Sequence, residues 1–192
     1  MPLRLAGAFV VAPERQQDHR GWFARTFCRD EFAAHGLVAD FAQCSTSFNT
    51  SRGTLRGMHV QRAPHAETKL VRCTRGAVFD VLLDLRSGEA THLTWQAVEL
   101  TQDNGLGVYI PAGVAHGFQT MADATEVLYQ IDQRHHPGSA AGVRWDDPAF
   151  AIDWPISPPI LSERDAGFAN FVSDWPAGDT LPGIADGACP RR

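Results

Sequence analysis

Gly53-Thr54-Leu55-Arg56-Gly57-Met58-His59-Val60-Gln61, continuing through Pro64-His65-Ala66 to Lys69-Leu70-Val71-Arg72, sets two histidines, two arginines and a lysine at the start of what read as core strands. Charge is costly to bury there without a partner or a purpose. Such density marks a site. Downstream the chain falls into short apolar runs: Gly76 to Leu85, Leu93 to Leu100, Val108 to Ile110, Ala115 to Thr120 and Thr125 to Gln130, with turns at Arg75-Gly76 and Ser87-Gly88. Many short strands, Gly and Pro turns and almost no helix predict an all-β sandwich or barrel of the jelly-roll kind.

Upstream of the site, Phe41 to Asn49 alternates so that Gln43, Ser45, Ser47 and Asn49 share one face, a polar face that lines something wet. The one clear helix is expected at Arg29 to His35, stopped by Gly36. Residues 3–12 suit a first strand or a strand lent to a neighbouring subunit, and a second strand is expected to run to Phe27 from a turn at Asp18 to Gly21. After Pro137, stiff segments around Trp145 to Pro148, Asp153 to Pro155 and Ser157 to Pro159 are expected to wrap the barrel, and Ser162 to Asp165 to begin a short helical turn. One domain over residues 1–170 and an irregular tail over 171–192 complete the organisation.

With 192 residues, 44% hydrophobic and 20% charged, the chain is long enough for one substantial core. A net charge of -5 and no basic runs argue against a nucleic-acid partner. No apolar run approaches a membrane span and no signal peptide is evident, so a cytoplasmic protein without a membrane partner is expected. Cys28, Cys44, Cys73 and Cys189 form no C-x-x-C pair and read as small buried or half-buried residues.

Gly105, Pro111, Gly113 and His116 resemble the second motif of the cupin superfamily, which implies a double-stranded β-helix with a few short helices. The slots where metal-binding cupins carry two histidines and a glutamate hold Ala63, His65 and Lys69. A lysine in the carboxylate's slot brings positive charge to a metal that needs lone pairs. No metal is therefore expected, the alternative being a site built on His65 and His116. Without a metal, inward Lys and Arg side chains offer donors only, which suits an anion or an anion that develops during reaction. His59 near a lysine and a tyrosine is a candidate for proton transfer.

The stretch from Gly53 to Arg72, Gly76-x-x-Phe79-Asp80-Val81-x-x-Asp84-Leu85-Arg86, Ile110 to Phe118, Leu128-Tyr129, Arg144 to Pro148 and Pro159-Ile160-Leu161-Ser162-Glu163-x-Asp165 closely resemble the dTDP-4-dehydrorhamnose 3,5-epimerase family, in order and from about Leu3 to Asp165. The resemblance implies a cofactor-independent isomerase of a nucleotide-linked 4-keto-6-deoxy sugar, expected to be dTDP-linked, in deoxysugar or polysaccharide biosynthesis. A ketone at carbon 4 acidifies the hydrogens at carbons 3 and 5, and the enolate needs a donor beside its oxygen. The family resemblance assigns the base to His59, its orienter to Asp165, the enolate's partner to Lys69 and the returning proton to Tyr129, with Asp84 as a second possible partner for His59. It assigns substrate contacts to Arg20, Arg25, Gln43, Asn49, Arg56, His65 and His116, and it implies a homodimer.

Two departures stand out. Arg25 takes a position where rhamnose-pathway members commonly have Glu, and Pro137-Gly138-Ser139-Ala140-Ala141-Gly142 replaces an acidic pattern, with His135 where an aromatic is usual. The abstraction machinery is intact while the recognition shell differs. Epimerisation at carbon 3 only, a different nucleotide sugar, a metal-dependent cupin enzyme and a non-catalytic sugar-nucleotide binding module are the alternatives.

Overall fold

The computed structural model describes residues 1–172, so all but the first two residues of the expected tail, and Cys189 with them, lie outside the described residues. The strands are β1 (Phe9–Val11), β2 (Gln16–Asp18), β3 (Gly21–Phe23), β4 (Gln43–Asn49), β5 (Leu55–Gln61), β6 (Lys69–Arg75), β7 (Ala77–Asp84), β8 (Trp95–Thr101), β9 (Gly107–Ile110), β10 (Val114–Thr120), β11 (Thr125–Ile131) and β12 (Ala140–Gly142). Two short helices, α1 (Arg29–Ala34) and α2 (Glu163–Ala166), complete the set. Two five-stranded antiparallel sheets, in the orders β1-β9-β6-β11-β4 and β12-β5-β10-β7-β8, make the barrel, while β2 and β3 pair only with each other. The expected all-β double-stranded β-helix is the observed fold.

The apolar runs are explained by burial on both faces. From β7, Val78 and Leu82 join Val71, Val108, Val114, Phe118 and Val127 in one core cluster. Val81 and Leu83, pointing the other way, pack with Met58, Val60, Phe150 and Ile152 under the wrapping segment. Trp95 fastens that segment by donating Nε1–H to the Phe150 carbonyl, and Trp154 donates to that of Trp145. On the other sheet, Leu70 and Tyr109 are covered by Phe32 of α1, and the Tyr109 hydroxyl accepts the Val38 N–H. Beside the site, β5 and β10 approach so closely that a Cβ on Gly57, at φ +133, would lie 2.5 Å from the Gly117 Cα. No larger residue fits that crossing.

The N-terminal region differs from expectation. Of the two expectations for residues 3–12, the first strand is the one found: it is only β1, and it pairs with β9 of the same chain. Leu5 and Ala8 belong to the core before it. The expected turn at Asp18 to Gly21 is there and closes the β2–β3 hairpin, but the strand after it stops at Phe23 instead of running to Phe27, with Trp22 48% and Phe23 70% exposed. Phe27 instead packs edge-on against Phe32 and Phe41. Cys44 is exposed on β4, against the expectation for cysteine.

Candidate active site

The two sheets enclose a cavity of about 400 Å³. Strand alternation sets its lining on β4 (Gln43, Ser45 and Ser47), β10 (His116 and Phe118) and β11 (Tyr129 and Ile131), while on β5 a register shift against β10 lets Arg56 join His59 and Gln61. Lys69 enters from the start of β6 and Arg164 from α2.

His59 Nε2 lies 2.7 Å from Asp165 Oδ1, with the histidine side chain 35% exposed and the aspartate 6%. Asp165 sits in the first turn of α2, where its N–H donates to the capping Ser162 Oγ at 3.1 Å. Burial disfavours its charge, but the His59 hydrogen bond and charge, together with the Gly57 N–H and Ser162, outweigh burial and hold its pKa below the ordinary value. An ionised carboxylate so placed fixes the tautomer and aim of the imidazole. The alternative partner, Asp84, is taken by Arg86 at 2.7 Å and by the Thr91 hydroxyl at 2.6 Å.

Lys69 Nζ forms an ion pair with Glu67 Oε1 at 2.8 Å, both side chains nearly buried. His116 Nε2 lies 2.9 Å from Oδ2 of the fully buried Asp80. The other Asp80 oxygen, Oδ1, has no hydrogen-bond partner among the described residues. His116 and His59 stand opposite each other on β10 and β5. On the facing sheet, the Tyr129 hydroxyl lies 3.3 Å from Ser47 Oγ. Burial raises the Tyr129 pKa, more than the Ser47 hydrogen bond and the Arg56 charge lower it, so the phenol holds its proton.

Seven of the expected residues, His59, Lys69, Tyr129, Gln43, Arg56, His116 and, through His59, Asp165, are brought together here. The others lie elsewhere. Asn49 is buried behind the wall and accepts the Arg56 Nε–H at 2.7 Å, so it aims Arg56. His65 lies outside the wall and stacks on His136 with ring centroids 3.9 Å apart. With His65 stacked there and His116 engaged by Asp80, the two do not converge as metal ligands. Among the described residues no group of three or more His, Cys, Asp or Glu is arranged to hold a metal. Arg20 pairs with Asp18 and Arg25 with Glu31, both exposed and off the cavity wall of this single chain. Sequence reasoning missed Glu67, Asp80 and Arg164. Two acids inside the apolar run of β7 were a signal that at least one had a buried partner.

A sequence profile of the dTDP-4-dehydrorhamnose 3,5-epimerase family matches residues 2–173. A dTDP-4-dehydrorhamnose 3,5-epimerase of Sinorhizobium fredii is 39% identical over 165 residues, covering 85% of each chain. A dTDP-4-dehydrorhamnose 3-epimerase of Streptomyces niveus is 38% identical over 165 residues, 85% of this chain and 79% of that one. Among solved structures, a dTDP-4-dehydrorhamnose 3,5-epimerase from Bacillus anthracis with TDP and PPi bound superposes with a TM-score of 0.87 at 33% identity, over 89% of this chain and 98% of that chain.

Proposed function

Because the chain belongs to the dTDP-4-dehydrorhamnose 3,5-epimerase family of isomerases, we propose that it epimerises a dTDP-linked 4-keto-6-deoxy sugar at carbons 3 and 5 without a cofactor. The observation that carries this reading is the opposition of His59 on one sheet to Tyr129 on the other across a single cavity. Inversion requires a proton to leave one face of a planar enolate and return on the other. His59, aimed by Asp165, removes the proton next to the ketone, and the C–H electron pair moves into the enolate. Lys69 stabilises the charge on the enolate oxygen. Tyr129 then protonates the carbon from the far side, and Ser47 and the Arg56 charge ease the phenolate that remains. Arg56 and Arg164 are the cations lining the cavity besides Lys69 and suit the diphosphate.

The test is proton NMR in deuterated water with dTDP-4-keto-6-deoxyglucose. Signals at carbons 3 and 5 are both expected to disappear. Loss at carbon 3 alone would favour the second reading, a 3-epimerase, which the activity of the Streptomyces niveus relative supports. No loss at either carbon removes the epimerase assignment for this sugar.

The working unit in this reading is a homodimer. Strand β4 is a sheet edge exposed along most of its length, with Phe48 52% exposed, and the β2–β3 hairpin displays Trp22 and Phe23. Paired edges and buried aromatics are what a second copy supplies. Arg20 and Arg25, remote from their own cavity, would then serve the neighbour's. Light scattering should give twice the 21.0 kDa of one chain. A monomer at assay concentration would end this part of the reading.

A further inference from the structure

Among the described residues, Glu67 is the only carboxylate in the cavity lining, where it stands with the cations Arg56, Lys69 and Arg164. It lies in the short connection between β5 and β6, two residues before Lys69, and both side chains turn into the cavity. Their direction is fixed from behind. The Thr68 N–H between them donates to Asp132 Oδ1 at 2.7 Å, and the Asp132 N–H returns to the Thr68 carbonyl at 3.2 Å. Glu67 Oε1 meets Lys69 Nζ at 2.8 Å, with side-chain exposures of 13% and 8%. A site for a diphosphate ester gains nothing from a buried carboxylate near the phosphates, since like charges repel. Its place beside Lys69 assigns it to the sugar end.

We propose that Glu67 is a specificity-determining residue: while Lys69 donates to the ketone oxygen, the Glu67 carboxylate accepts a hydrogen bond from the hydroxyl on the neighbouring carbon 3. A carboxylate has room for several donors, and Lys69 takes only one. The touching donor and acceptor thus match the two adjacent oxygens of an α-hydroxy ketone, and the pair reads that unit as a whole. The proposal rests on the epimerase reading above and adds to it a requirement for a free hydroxyl beside the ketone. A buried acceptor built for a hydroxyl discriminates against a substrate that leaves it unpaired.

The experiment compares exchange of the ketone-flanking hydrogens with deuterated water for dTDP-4-keto-6-deoxyglucose and its 3-deoxy counterpart. The ratio of the two kcat/KM values is taken separately for wild type, Glu67→Met and Glu67→Gln. Any general damage to Lys69 or to folding cancels within each ratio, as does the intrinsic acidity difference between the two sugars. The parent-to-3-deoxy ratio is expected to fall by about 10- to 100-fold from wild type to Glu67→Met, the range for a hydrogen bond to a charged group. Glu67→Gln, which keeps an acceptor oxygen but loses the charge, should lower it by only about 3- to 10-fold. Ratios equal to wild type in both variants overturn the role of Glu67 and leave the epimerase reading intact. Absence of exchange by wild type with the parent sugar overturns both.

Discussion

His59→Ala is expected to slow exchange of the substrate hydrogens with solvent by at least about 10³-fold, near the upper part of the range for a positioned general base. Affinity for dTDP, measured by calorimetry, should change little, because the proposed mechanism leaves the nucleotide's charge to the cavity-lining Arg56 and Arg164 and not to the imidazole. The prediction follows from geometry: the ring is bound to Asp165 at 2.7 Å on one side and is open to the cavity on the other. Full exchange by the variant would remove His59 as the base. His116 is the obvious substitute, being opposite His59 and paired with its own aspartate, so retained exchange should then disappear in the His59→Ala, His116→Ala double variant.

The second large effect concerns the other wall. Tyr129→Phe keeps the ring, and with it the edge-on contact to His116 at 6.2 Å, but deletes the phenolic proton. Deuterium should still enter the sugar, since abstraction and return by His59 on the same face need no tyrosine. Inversion at carbon 5, followed by the coupling constants of the product, should fall by about 10² or more, the contribution typical of a general acid. Normal inversion would show that another acid serves, and Ser47, 3.3 Å from the lost hydroxyl, would be examined next.

Much of this site could be read from the chain because its residues lie in extended segments, where period two decides direction. The polar face of Gln43, Ser45 and Ser47 was visible that way, and all three line the cavity. Asn49 has the same period but is buried one step further along, so its polar end meets Arg56 instead of the lumen. The choice between Asp165 and Asp84 needed the fold, because the first partner is remote in sequence while the second is consumed by Arg86 only two residues away. Asp80 escaped notice for a similar reason. It and Asp84 both point inward from β7, and only the register against β10, which sets Asp80 diagonal to His116, tells which meets the histidine. The turn at Asp18 to Gly21 was legible, but not the arm Gln16–Asp18 that pairs back across it, nor the end of the following strand at Phe23. Trp22 is covered on one face by the Arg15 guanidinium, 4.4 Å from its ring centroid, and Phe23 stays 70% exposed, so an alternation that looks like a core strand lies on the surface.

The last strand of the barrel ends at Gly142, and the carboxylate that aims His59 arrives only with α2, after the wrapping segment has crossed the outer face. That final stretch is stitched to the start of β5 by a parallel bridge between Thr54 and Ile160 and by paired backbone hydrogen bonds of Gly53 and Leu55 with Ile160. A ribosome that has delivered β12 has therefore not yet delivered the carboxylate partner of His59. In the proposed mechanism, a chain that stops short of Asp165 carries the imidazole on β5 without the carboxylate that pairs with it.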